Sequence, residues 1–171
     1  MMRVRNLRVI TAAALLLSLA ACNGAETDNA AHDTADFNLT LDMVTFMNHA
    51  LEPVADVLWR SAGWVDDEVE GYFELYPTDD EGWHEVEGMA GAIVELGNAL
   101  MLPGRAYDDT TWATYSKAMS EVGLRAMIAA EEQNEEELFQ AGAQLYSVCT
   151  ACHQAYNPEI VTRFAPSSLS D

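Results

Sequence analysis

Asn134-Glu-Glu-Glu-Leu-Phe-Gln-Ala-Gly-Ala-Gln-Leu-Tyr-Ser-Val-Cys149-Thr-Ala-Cys152-His153 is the stretch whose reading decides the fold. Asn134 is a good N-cap, with Glu137 three residues later to complete the start of a helix. Leu138, Ala141, Leu145, Val148 and Cys152 then recur at intervals of three or four, the period of one helix face, with Cys149 beside them. Asn157-Pro158 follows Tyr156 and stops the helix, because the residue before a proline is steered away from helical backbone angles.

The end of that helix carries chemistry. Cys-x-x-Cys-His is the spacing at which haem is attached covalently. Two thiols three positions apart on a helical turn reach the two vinyl groups on one edge of a porphyrin. The adjacent His153 then brings a ring nitrogen to the iron as proximal ligand. Other readings fit less well. A thioredoxin-type pair needs a βαβ pattern around it, and the chain has none. A structural zinc site needs four closed ligands, whereas His32, His49 and His84 are isolated and there is no second cysteine pair.

Residues 1–21 read as a targeting segment, set apart from the fold. Arg3, Arg5 and Arg8 form a basic start, and Val9 to Leu17 is a mostly apolar run too short to cross a bilayer. Leu19-Ala20-Ala21-Cys22 resembles a bacterial lipobox, which implies cleavage before Cys22 and lipid on its sulfur; an ordinary cleavage after Ala21 is the alternative. Several acyl chains anchor a protein firmly where one does not. Asn23 after the cysteine points to the outer rather than the inner membrane, so the expected address is periplasmic and lipid-anchored. With one cysteine for lipid and two for haem, none of the 3 remains for a disulfide.

Five basic residues (Arg60, Arg105, Lys117, Arg125, Arg163) face 28 acidic ones after Cys22, a net charge of −23. Such a charge argues against nucleic acid and anionic headgroups as partners and suits a redox partner with a basic docking surface.

Residues 22–37 are small, polar and aperiodic, a tether in which His32 is incidental. The domain proper spans 38–160, with a short tail over 161–171. Met43, Met47, Leu51, Val54 and Leu58 predict a first helix over 40–60, kinked or broken at Pro53. Residues 61–77 read as a long aromatic connection packed on the helices. Thr78 and Glu81 suggest a capping box for a second helix with Val86, Met89, Ile93, Leu96 and Leu100 inward, ended by Pro103-Gly104. A third, beginning near Asp109, turns Trp112, Tyr115, Met119, Val122 and Ala126 to one side. No segment alternates with period two. The expected fold class is all-α, an antiparallel four-helix bundle with covalently attached haem.

These pieces resemble the cytochrome c prime superfamily, the class II c-type cytochromes, whose Cys-x-x-Cys-His sits near the C-terminus on the fourth helix. The resemblance covers about residues 38–160, with Tyr156 at the family's aromatic position; Asn157 stands where high-spin members often carry a basic residue. It implies a distal position on the first helix, apolar in five-coordinate members and methionine in low-spin ones. Met47, followed by Pro53-x-Ala55-Asp56-x-x-Trp59, is similar to the methionine-bearing type, with Met43 one turn earlier as the other candidate. A thioether favours ferrous iron and raises the potential. Methionine also fills irregular cores, and there are 8 in the chain. His49 lies about 200° round the helix from Met47 and does not share its role. Arg105 is a candidate for a haem propionate through a charge-assisted fork. Glu81-x-x-His84 is only half of a di-iron pattern.

The expected function is single-electron transfer through one haem c per chain, not enzymatic catalysis. A five-coordinate haem that binds nitric oxide or carbon monoxide is the alternative. Family members are often dimers through their first two helices, so the resemblance also implies a homodimer.

Overall fold

The structure, a computed structural model, describes residues 37–160. The expected signal segment, Cys22, His32, the tether up to residue 36 and the tail from 161 lie outside the described residues. What is described is mostly helical: four helices, 66% helical, with one small two-stranded sheet.

The first helix, α1, is composite. It runs as an α-turn over Met43–Phe46, a π-turn over Met47–Leu51 and an α-helix over Glu52–Arg60. Asp42 caps it by accepting from the Thr45 N–H at 2.7 Å. In the π-turn the Glu52 N–H reaches back five residues to the Met47 carbonyl. Pro53 supplies the reason: it has no N–H to give to residue 49, and its ring crowds that carbonyl. The break expected at Pro53 is therefore a change of register inside a continuous helix. Burial follows the new register. Phe46, Leu51, Ala55 and Leu58 are buried, with a step of five across the π-turn, while Met43, Met47 and Val54 of the expected stripe are only partly buried.

The connection that follows is not an irregular loop. Trp64–Asp67 (β1) and Gly71–Glu74 (β2) pair as an antiparallel hairpin, with Trp64 opposite Glu74 and Val65 opposite Phe73. Asp67 shapes the turn: one carboxylate oxygen accepts from the N–H groups of Val69 and Glu70, both at 2.7 Å. Gly71 closes it at φ +74, where a Cβ is disfavoured. The hairpin rests on the helices mainly through Trp64, stacked on Phe139 with ring centroids 5.8 Å apart. Most of the rest faces solvent, while Ala62 and Tyr76 at its two ends pack on the core, so the packed connection expected is realised only at the base.

Helix α2 spans Asp80–Leu100 and is capped by Asp79, whose carboxylate accepts from the Gly82 N–H at 2.9 Å. The expected Thr78–Glu81 box is not the cap, because Asp79 already occupies the extended N-cap conformation and satisfies the free donor. Trp83, Val86, Ala90, Ile93, Gly97 and Leu100 form the buried face. Helix α3 spans Thr111–Glu131, two residues later than expected, and Asp108 holds its start by accepting from Trp112 N–H at 3.0 Å. Helix α4 spans Glu135–Tyr156 as the sequence predicts, with Asn134 accepting from Glu137 N–H at 3.1 Å.

Among the described residues the α2–α3 seam is the closest helix contact. A Cβ on Gly97 would lie 2.1 Å from Ser120 Oγ and 2.8 Å from the Ser116 carbonyl. One on Gly123 would lie 2.9 Å from Ile93 Cγ2. Ser120 crosses the seam to donate to the Val94 carbonyl at 2.8 Å. Helix α3 packs in turn on α4, and α1 on α2 and α4. Among the described residues no helix is long and apolar enough to cross a membrane.

Candidate functional site

The last two turns of α4 carry Cys149, Cys152 and His153, all half-buried. Across from them the π-turn of α1 presents Met47. All four line one apolar cavity of about 40 Å³, closed by Leu51, Leu100, Met119 and Val148. A second cavity of about 110 Å³ shares Met47, Cys152 and His153 and is bounded by Tyr107, Trp112 and Tyr156. The two together outline a cleft between the first and last helices. Trp59 pins that cleft further along, its indole N–H donating to the Gly142 carbonyl at 3.1 Å.

The expected site residues divide. Cys149, Cys152, His153 and Met47 are brought together. Met43 is not; it lines a different cavity of about 480 Å³ with Asp42, Gly104 and Arg105. Arg105 lies with its guanidinium carbon 4.1 Å from the centroid of the Phe46 ring, a cation–π contact, and borders neither cavity of the cysteines. His49 is exposed on the outer side of the π-turn. His84 pairs at the surface with Glu87 at 3.2 Å.

The electrostatics suit a dry wall. Burial pushes the Cys149 thiol up to about 12, with the neighbouring Cys152 adding to it, and burial raises Cys152 as well. Both are thiols at neutral pH, unlike the low-pKa thiolate of a redox pair. Both are free rather than joined as a disulfide. Burial lowers the His153 pKa, so its imidazole stays neutral with a lone pair to offer. Ser116 is buried in the same wall, but its hydroxyl is spent on the Trp112 carbonyl at 2.9 Å. Thr150 Oγ1, between the cysteines, is buried with no hydrogen-bond partner. Among the described residues no three His, Cys, Asp or Glu converge to hold a bare metal ion.

An aromatic wall beside His153 escapes a reading of the sequence. Tyr107, Trp112 and Tyr156 pack with ring centroids 4.9, 5.7 and 5.0 Å apart. Trp112 donates to the Leu100 carbonyl at 2.8 Å, and Tyr156 donates to Asp108. Tyr156 stood out by its offset from His153. Tyr107 and Asp108 carry no local signal, because the loop over 101–110 is placed only by folding.

Compared with known proteins, the chain matches no family model, no curated protein and no solved structure.

Proposed function

We propose that this chain is a c-type cytochrome built as an antiparallel four-helix bundle and serving as a single-electron carrier. The observation that supports this most is the convergence of Met47 with Cys149, Cys152 and His153 on one apolar cavity, although α1 and α4 lie about a hundred residues apart in sequence. The donor set fits the group: two thiols three positions apart, a neutral half-buried imidazole beside them and a soft thioether opposite.

In this reading Cys149 and Cys152 would hold the porphyrin by thioethers, with His153 as the proximal ligand and Met47 as the distal one. When bound, haem supplies an Fe(III)/Fe(II) couple whose potential the axial ligands and the burial of the site tune. Leu51, Leu100, Met119 and Val148 keep water out. Were His153 and Met47 both to ligate the iron, no open position would remain for a substrate, which argues for a carrier rather than an enzyme. Both cavities are smaller than a porphyrin, so its attachment requires α1 to part from α4. Arg105 remains the candidate propionate contact, although it packs on Phe46 and borders neither cavity. The signal-like start and Cys22 support a periplasmic, lipid-anchored address, with a basic redox partner and a homodimer as the further implications of the resemblance.

The test is the absorption spectrum of the chain produced with a haem-attachment system. Sharp α and β bands with a sulfur–iron band at the red edge are expected, converted by Met47→Ala to a broad five-coordinate spectrum with avid carbon monoxide binding. A wild-type protein already five-coordinate would make it a gas-binding haem protein. Conversion by Met43→Ala alone would move the distal ligand one turn earlier.

A further inference from the structure

We propose that the β1–β2 hairpin is a docking surface for a second protein, one whose contact face is an apolar patch ringed by lysine or arginine. The hairpin exposes apolar side chains: Val69 is 93% exposed and Tyr72 62%, and Trp64 is still 59% exposed although one face stacks on Phe139. It does so on a fixed frame. Asp67 locks the turn through the Val69 and Glu70 N–H groups, Leu75 N–H closes the base on the Gly63 carbonyl at 3.0 Å, and Trp64 is clamped on Phe139. An apolar tip already ordered loses little entropy on binding, which is how a preorganised contact gains affinity.

Charge selects the occupant. Asp66, Asp67, Glu68 and Glu70 surround the tip, Glu74 stands opposite Trp64 at the base, and no lysine or arginine occurs between Arg60 and Arg105. Arg60, the nearest base in sequence, pairs with Asp56 at 3.4 Å. The same end of the molecule gathers more carboxylates. The Trp64–Phe139 stack brings in Glu135 to Glu137, and Gln133, donating to Asp80 at 3.0 Å, brings in Asp79 to Glu81. A second copy of the chain would present the same carboxylates and be repelled. A basic protein face is complementary, and complementary potentials speed encounter and reject wrong partners.

The inference stands apart from the haem reading. Phe139 precedes Cys149 by ten residues, about 15 Å of helix. This surface therefore lies about three helical turns from the cleft.

Titration of the full chain with a small, lysine-ringed cytochrome c of positive net charge, at low ionic strength, tests it. Two hairpin variants are compared: Val69→Ser with Tyr72→Ser, which keeps the charge, and Asp66→Asn with Glu68→Gln and Glu70→Gln, which keeps the apolar tip. Each should weaken binding about tenfold, the loss of roughly one hot-spot contact. A control with Glu85→Gln, Glu95→Gln and Glu121→Gln removes the same charge elsewhere and should cost under about threefold, a rim effect. Amide shift changes should centre on residues 64–74. Equal losses in control and hairpin variants, an unaffected Val69→Ser/Tyr72→Ser variant, or shifts centred on Val44 and Tyr107 would overturn the proposal. So would a hairpin-dependent dimer of the chain alone in sedimentation.

Discussion

The Tyr156 hydroxyl donates to a carboxylate oxygen of Asp108, tying the last turn of α4 to the loop that starts α3. The Tyr156 hydroxyl first, and then the Trp112 N–H, hold the Asp108 carboxyl down at about 2. Burial first, and then Asp108, pushes the Tyr156 phenol up to about 12.

The sign of each shift gives a pH window. A depressed carboxylate stabilises the fold above its ordinary 3.8, and that contribution is lost as pH falls through about 2. A raised phenol stabilises below its ordinary 10.0, lost as pH rises through about 12. Tyr156→Phe should therefore lower Tm by a constant amount between about pH 4 and 10, and the gap to wild type should shrink outside that window. Thermal melts of both proteins across pH check this; a gap that stays level down to about pH 2 would sink the link.

Asp79, not Thr78, caps α2. Asp79→Ala should cost about 1 kcal/mol, and Thr78→Ala a few tenths at most. Denaturant melts of the two variants decide it, and a larger loss for Thr78→Ala would restore the capping box that the sequence suggests.

Two glycines of α2 should respond oppositely to alanine. At Gly97 the added Cβ meets Ser120 Oγ at 2.1 Å and backbone at 2.8 Å, so the α2–α3 seam must open, at a cost of about 1–3 kcal/mol. At Gly88 nothing lies within 4 Å, and the better helix former should stabilise by about 0.5–1 kcal/mol. Tm shifts of opposite sign, at about 2–4 °C per kcal/mol, are the expected readout.

Thr150→Val removes a buried hydroxyl that has no partner while keeping its shape. The haem-free protein should become more stable by about 1 kcal/mol, since an unsatisfied buried group carries its full desolvation cost. A loss of stability on calorimetry would mean that the hydroxyl has found an acceptor.

The helices were legible where burial and sequence share a period. Asn134 through Cys152 reads correctly as a capped helix because its apolar residues mark the face that α4 buries. On α2 the pattern misled: Met89 and Leu96 are only partly buried, whereas Ala90 and Gly97 face α3, since close helix approach selects small residues that a hydrophobicity reading passes over. The hairpin escaped because neither of its faces is fully buried, so Trp64 to Glu74 has little reason to alternate. The π-turn escaped because one extra residue per turn looks, in sequence, like a proline break. Met47 was found by resemblance, and Tyr107 and Asp108 not at all.

The seam at Gly97 and Ser120 divides the molecule mechanically. Backbones this close cannot slide or separate without breaking contacts along their whole length, so α2 and α3 behave as a single plate. Helix α1 carries the π-turn and packs less extensively on α2 than α3 does. A group bound between α1 and α4 would therefore be accommodated by a shift of the first helix, with the plate behind it keeping its shape.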